Sequence, residues 1–135
     1  MCAESIKSEV ARLAAAGVRL RLLEQAGQCY VQAEQMAAPT PLWGAAVLDV
    51  LIPIPLAYET AGLDGFYLKL PYSYRGGEHP RVNGQTVTID ATQWRQVSWH
   101  YADNKRWQSG ADNLETHLAH IKGFFFHRGA TNAIN

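Results

Sequence analysis

The segment Trp94–Phe126, WRQVSWHYADNKRWQSGADNLETHLAHIKGFFF, sets the reading of the whole chain. It holds three of the four tryptophans, Trp94, Trp99 and Trp107, with Ser98 and His100 between them. An indole buries a large area while its N–H seeks a partner, so three of them in so short a span predict one rigid, densely packed corner. A polar Ser-Trp-His inside such a corner is the first place to look for function. Behind it, Leu114, Leu118, Ile121 and Phe125 fall on one stripe of a helix that begins near Asp112. Asp112 and Glu115 stand three apart, as in a capping box. Phe124, Phe125 and Phe126 cannot all face one side of that helix, and the core is their expected place, with a partner-binding patch as the alternative.

Working outward from this segment, residues 5–16 read as a helix. Ile6, Val10 and Leu13 share a face, Ser5 is placed to cap the start, and Gly17 ends it. Val18, Leu20 and Leu22 then alternate with Arg19 and Arg21, and Gln25–Gln28 turns the chain into Cys29–Ala33, a hairpin. Trp43-Gly44 opens the next strand, and residues 45–54 (AAVLDVLIPI) are apolar enough for a strand buried on both faces. Pro53 and Pro55 end its ladder, because proline has no N–H to donate. Gly65–Leu70 alternates again and Pro71 closes it. Tyr72–Pro80 reads as a loop with Gly76-Gly77 as its flexible point. Asn83-Gly84 is the strongest short turn signal and leads into a short strand, Gln85–Ile89. Helix, antiparallel strands, an irregular aromatic segment and a closing helix make an α+β chain. A single domain spans residues 1–129, with 130–135 as a flexible tail.

Composition narrows the function. Twelve basic and twelve acidic side chains leave no net charge, which argues against nucleic acid or an anionic membrane as partner. The start carries no basic region followed by an apolar core, and no run approaches a membrane span, so a cytoplasmic protein is expected. Two cysteines, Cys2 and Cys29, show neither a pairing pattern nor a metal-ligand spacing. Cys2 is expected to be mobile near the terminus. Cys29 lies in a strand with no helix N-terminus or basic neighbour to lower its pKa, which marks an inert residue. His117 and His120 share a helix side, but no third ligand completes a metal site, and the alternative is a pair of solvated residues. Ser98 and His100 sit side by side on one strand face, a poor nucleophile–base geometry, and no G-x-S-x-G motif is present. Nothing implies a cofactor.

The pattern Trp94-x-Gln96-x-Ser98-x-His100, followed by Trp107-Gln108-x-Gly110-x-Asp112-x-Leu114-x-Thr116-x-Leu118, resembles the prokaryotic E2-like proteins called family E, of the ubiquitin-conjugating (UBC/UEV) superfamily. So do Leu51-Ile52-Pro53-Ile54-Pro55-Leu56 and Asp64-Gly65-Phe66-Tyr67-Leu68-x-Leu70-Pro71. The resemblance covers about residues 18–126 and implies a UBC-like α+β fold. Active relatives carry His-Pro-Asn, a turn, and a thioester cysteine before a tryptophan and helix. Matching His79-Pro80 and Asn83-Gly84 puts Val87 at the cysteine position, with Trp94 as the tryptophan. Matching Trp107 and the Asp112 helix puts that position near Ser98–His100, and the helix spacing favours this second placement. Neither yields a cysteine.

The resemblance therefore implies a bacterial E2-like component that binds its partners as UEV proteins do. His100 is the leading functional group, Trp94, Trp99 and Trp107 are its frame, and Asp112 is the helix cap. The alternative is an acyl carrier using Ser98 or Cys29. The implied partners are a ubiquitin-like modifier, an E1-like adenylating enzyme and a JAB-type protease.

Overall fold

The computed structural model describes residues 2–58, 60–99 and 107–127. His100 and the expected tail of residues 130–135 lie outside the described residues. Helix α1 (Glu4–Ala15) is followed by β1 (Leu20–Gln25), β2 (Gln28–Ala37), the short α2 (Thr40–Trp43), β3 (Val47–Ile54), β4 (Phe66–Lys69), β5 (Thr86–Ile89), β6 (Thr92–Val97) and α3 (Leu114–Phe125). The six strands form one antiparallel sheet in the order β1-β2-β3-β4-β6-β5. This is the UBC-like α+β architecture that the sequence implied.

Strand alternation explains why the sheet has two cores. Val31, Ile52, Val50, Leu68, Phe66 and Val97 point to the face covered by α1 and α3, where they join Ile6, Val10, Leu13, Leu114, Ile121, Phe124 and Phe125. Their neighbours one residue along point the other way. There Leu51, Ile89 and Trp94 are buried with Leu23, Tyr30, Tyr67 and Val87 packed around them. That second core exists because the sheet curls until its edges approach each other. Gln25, at the end of β1, donates from Nε2 to the Thr88 carbonyl on β5 at 3.1 Å, and its Oε1 accepts from the Asp90 N–H at 3.1 Å. The apolar run of β3 is thus buried on both faces, as expected.

Several local expectations are corrected. Residues 92–97, read as irregular, form strand β6, paired with both β4 and β5. The β5–β6 hairpin turns at Asp90-Ala91, both at positive φ (53° and 62°), the backbone that a two-residue hairpin loop requires. Asn83-Gly84 instead runs alongside β6, the Gly84 N–H donating to the Gln96 carbonyl at 3.1 Å. Pro53 does not end β3 but lies opposite Tyr30 within it. On its β4 side β3 has ladder partners only at Val50 and Leu51, so a missing donor at 53 breaks nothing there. Trp43 ends a helical turn, capped by left-handed Gly44 (φ 66°), rather than opening a strand. The first helix begins at Glu4 with Ala3 at its cap position, so Ser5 lies inside it.

The cysteines are corrected too. Cys2 is buried and held, not mobile, and it forms a disulfide with Cys29. The Cys2 N–H also donates to Glu24 Oε2 at 2.8 Å. Glu24 is the cross-strand partner of Cys29, so the start of the chain is fixed to one rung of the β1–β2 hairpin. Closing a loop between cysteines 27 residues apart removes unfolded-chain entropy equivalent to about 3.5 kcal/mol. The Cys29→Ser variant should lose about that stability in urea unfolding, and reductant should then have no further effect. An unchanged midpoint would show that the bond contributes nothing.

Candidate functional site

Trp43, at the end of α2, is the hub of the aromatic corner. Its indole N–H donates to the Phe125 carbonyl in the last turn of α3 at 2.8 Å, in a fully buried setting. Its ring lies flat on His79, 5.5 Å between centroids and 5° between planes. Tyr74 and Phe125 also pack on it at 4.8 and 5.4 Å. Trp43 gave no functional signal in the sequence.

His79 is 2% exposed. Its backbone N–H donates to the Tyr72 hydroxyl at 3.0 Å, and its Nδ1 accepts from the Arg81 N–H at 2.9 Å. With Nδ1 an acceptor, the neutral ring carries its proton on Nε2. That N–H has no partner among the described residues. Burial, with help from the nearby charges of Arg81 and His127, pushes the His79 pKa down to about 4, so the ring is neutral at pH 7.

The His79–Gly84 segment is laced to the end of β6. The Val82 N–H donates to the His79 carbonyl at 3.0 Å, which closes a tight turn through Pro80. The Ser98 N–H donates to the Arg81 carbonyl at 2.7 Å. The Ser98 hydroxyl donates to Asn83 Oδ1 at 2.8 Å. The two sequence placements of the active-site motif therefore converge in space, because Asn83 of the first meets Ser98 of the second. Val87, the cysteine position in the first placement, sits on β5 in the outer core, away from this junction.

The three tryptophans of the opening segment do not share one corner. Trp94 points into the outer core, its indole N–H reaching the Ile89 carbonyl at 3.4 Å. Strand alternation sends it to the opposite face from Val97. Trp99 packs on Phe124 at 5.1 Å and His127 at 5.6 Å, beside the His79 cluster. Trp107 packs on Tyr58 at 6.0 Å and over Gly62, where a Cβ would strike its ring.

Asp112 is not the helix cap either. Its Oδ2 accepts from the Gln108 N–H at 2.8 Å and closes the turn just before α3. The cap is Asn113, whose side chain accepts from the Thr116 N–H while the Thr116 hydroxyl accepts from the Asn113 N–H. His117 is wholly buried, and its Nε2–H donates to the Gly65 carbonyl at 2.9 Å. Burial, against a smaller opposing effect of that hydrogen bond, pushes its pKa down to about 4. His120 reaches the Trp99 carbonyl at 3.4 Å. These histidines are structural anchors rather than solvated residues, and among the described residues no cluster of three or more His, Cys, Asp or Glu side chains could hold a metal.

The α+β UBC-like sheet, with a His-Pro turn held against a Ser-Trp strand end, defines the chain as an E2-like protein. The family model described as Prokaryotic E2 family E matches residues 6–126, and the chain belongs to that family. No curated protein and no solved structure matches it. It is accordingly an E2-like component of a conjugation pathway.

Two measurements test this geometry. The Trp43→Phe variant keeps a packed ring but orphans the Phe125 carbonyl, and should lose about 1–3 kcal/mol in denaturant unfolding; a wild-type midpoint would mean that the bond is not formed. For His79 and His117, the folded pKa of about 4 lies below the ordinary 6.5, so the unfolded chain binds more protons between those values. Their contribution to stability is complete above pH 6.5 and is lost as pH falls through 4. The His79→Phe variant should show a shallower loss over that window, and an identical slope would place the His79 ring in solvent.

Proposed function

We propose that this E2-like protein holds a ubiquitin-like modifier, or the E1-like enzyme that adenylates it, without carrying the modifier on a thioester, as UEV proteins do. One observation supports this reading above the rest. Both cysteines of the chain are joined to each other, so neither is a free thiol. Thioester transfer needs a thiolate. Cys29 is moreover buried on β2, with β3 and β4 between it and β6, the strand that ends at Ser98.

Ser98 lacks the base that a serine nucleophile requires among the described residues. Its hydroxyl proton is directed at Asn83 Oδ1, an amide oxygen that takes up no proton at neutral pH. The hydrogen bond instead fixes the strand end and, with it, the orientation of Trp99. In this reading His100, next in the chain, contacts the tail of the modifier, and a JAB-type protease acts in the same bacterial pathway. Nucleic acid and membranes are not partners. Among the described residues no helix is long and apolar enough to cross a membrane. The cytoplasmic placement sits against the Cys2–Cys29 bond, since cytosolic thiol reductants keep most cysteines reduced; the burial of both sulfurs is what would shield the bond there.

Incubation with the E1-like enzyme, the modifier and ATP, followed by non-reducing gels and intact mass measurement, separates the two chemistries. The expected result is no covalent adduct, together with co-elution of the protein with the modifier or the E1-like enzyme. The His100→Ala variant should fold normally and lose that co-elution. A stable adduct on Ser98, or a thiol-sensitive one on Cys29, would overturn the binder reading and establish a conjugating enzyme.

A further inference from the structure

A groove opens away from the His79–Ser98 corner, where the end of α1, the β1–β2 hairpin and α3 meet. Its volume is about 520 Å³, within the range of about 300–1,000 Å³ that ligand pockets occupy. Leu13, Val18, Ala33, Met36, Leu118 and Ala119 give it an apolar floor. From α3 it is lined by Glu115, Leu118, Ala119 and Lys122, which share one helix face. Phe126, four residues beyond Lys122, extends that face, and the Lys122 ammonium lies 5.8 Å from the centre of its ring. Phe126 is 46% exposed and Val18 37%, two of the four large hydrophobic side chains left exposed among the described residues. An apolar surface of this kind rimmed by charge is the mark of an interaction site. His120 and Phe124, which meet Trp99, lie on the opposite side of α3.

A bulge in β2 brings Met36 into this groove. Ala33 pairs with Val50 and Met36 with Leu48, so three steps on β2 stand against two on β3. Gln35, inside the bulge, has a φ of 59°, and its N–H donates to Asp49 Oδ1 at 2.9 Å. Regular alternation from Ala33 would turn Met36 to the outer face. The extra residue returns it to the helical face, where it packs against the main core. Bulges that re-aim a side chain recur beside functional sites, and the flexible thioether of methionine adapts to what is laid against it.

Charge selects the partner. The two lining carboxylates are already engaged, Glu34 by Arg19 and Arg21 at 3.8 and 3.9 Å and Glu115 by Arg12 at 3.5 Å. Lys122 has no ion pair among the described residues, so the cation left open calls for an acidic ligand group. From Glu115 to Phe126 the face runs about 16 Å at about 1.5 Å per helical residue, the span of about five extended residues. We propose that this groove docks an acidic segment of a partner protein, with an aliphatic side chain of that segment seated against Met36 and Leu118 and a carboxylate on Lys122. The surface shares no residue with the Ser98 strand end and does not depend on the binder reading above.

The test is a titration of the full chain, 13C-labelled at the methionine methyls and 15N-labelled at tryptophan, with the peptide acetyl-Glu-Glu-Leu-Glu-Glu-amide. Met36 is one of two methionines, so the Met36→Leu variant assigns its methyl resonance. That resonance should shift saturably while the Trp99 indole N–H stays in place. Replacing the leucine of the peptide by glycine should weaken binding about tenfold or more. Lys122→Gln should weaken it about two- to fivefold and flatten its salt dependence, and Lys122→Arg should restore both. Ala119→Glu, which sets a like charge in the groove, should weaken binding as well. Ala119 and Lys122 are exposed, so these variants leave the core untouched, and an otherwise unchanged spectrum certifies their fold. A Met36 methyl unmoved at the solubility limit of the peptide would overturn the proposal. So would equal binding of acetyl-Lys-Lys-Leu-Lys-Lys-amide, or a Lys122→Gln variant that binds as the wild type does. A Met36 shift that follows protein concentration without peptide would give the groove to a second copy of the chain and overturn it too. A covalent adduct with the modifier would sink the binder reading without touching this titration.

Discussion

The hydrogen bond from the Trp43 indole to the Phe125 carbonyl fixes the geometry on which the rest of this corner depends. It ties the short α2 turn to the last turn of α3, two elements far apart in sequence. The Phe125 carbonyl lies at the helix end, where backbone acceptors lack intrahelical partners, and the indole supplies one without water. The same ring then becomes a flat support for His79. A ring held by packing on both sides and by the Arg81 N–H has little freedom to rotate. The His-Pro turn consequently meets the end of β6 in one defined arrangement, with Arg81 and Asn83 each hydrogen-bonded to Ser98.

Much of this fold was legible where periodicity was strong. Ile6, Val10 and Leu13 on α1, and Leu114, Ile121 and Phe125 on α3, are buried as their spacing implied. The two-sided burial of β3 followed from its unbroken apolar run. Legibility failed where two neighbouring residues compete for one role. Asp112 and Asn113 are both good caps, and the choice went to Asn113 because only its side chain meets a reciprocal partner, in Thr116. Asn83-Gly84 and Asp90-Ala91 are both turn sequences, but the hairpin belongs to the pair that lies between two β-forming runs. β6 was obscured by its tryptophan. Trp94 suggested an aromatic corner, whereas its parity along the strand carries it to the face opposite Val97.

The candidate site was less legible than the fold, and the reason is physical. Trp43, Tyr74 and His79 become neighbours only through long-range packing, and none of them carries a local pattern that reports it. His79-Pro80 was visible as a motif, and Ser98 as part of another, but their junction through Asn83 depends on how β6 lies beside the 79–85 segment. The disulfide was invisible for a similar reason. Nothing in the spacing of Cys2 and Cys29 indicates that the chain start lies over the β1–β2 rung that contains Glu24 and Cys29.

The buried polar groups of this corner are unevenly paired among the described residues. A buried donor left without a partner costs about 1–3 kcal/mol, so substituting Tyr74 or Trp99 by an apolar residue of similar shape would relieve a cost, whereas an apolar residue at 79 would also orphan the Arg81 N–H. The fold uses only one polar atom of His79, since Nδ1 accepts the Arg81 N–H and Nε2 has no partner among the described residues. His117, on the next helix, shows the contrasting case: equally buried, equally neutral, and paired through Nε2. Two histidines in one core thus carry the same proton placement, and among the described residues only that of His117 meets an acceptor. Trp43 and Trp99 repeat that contrast in indoles: the Trp43 N–H has the Phe125 carbonyl, and the Trp99 N–H has no hydrogen-bond partner among the described residues.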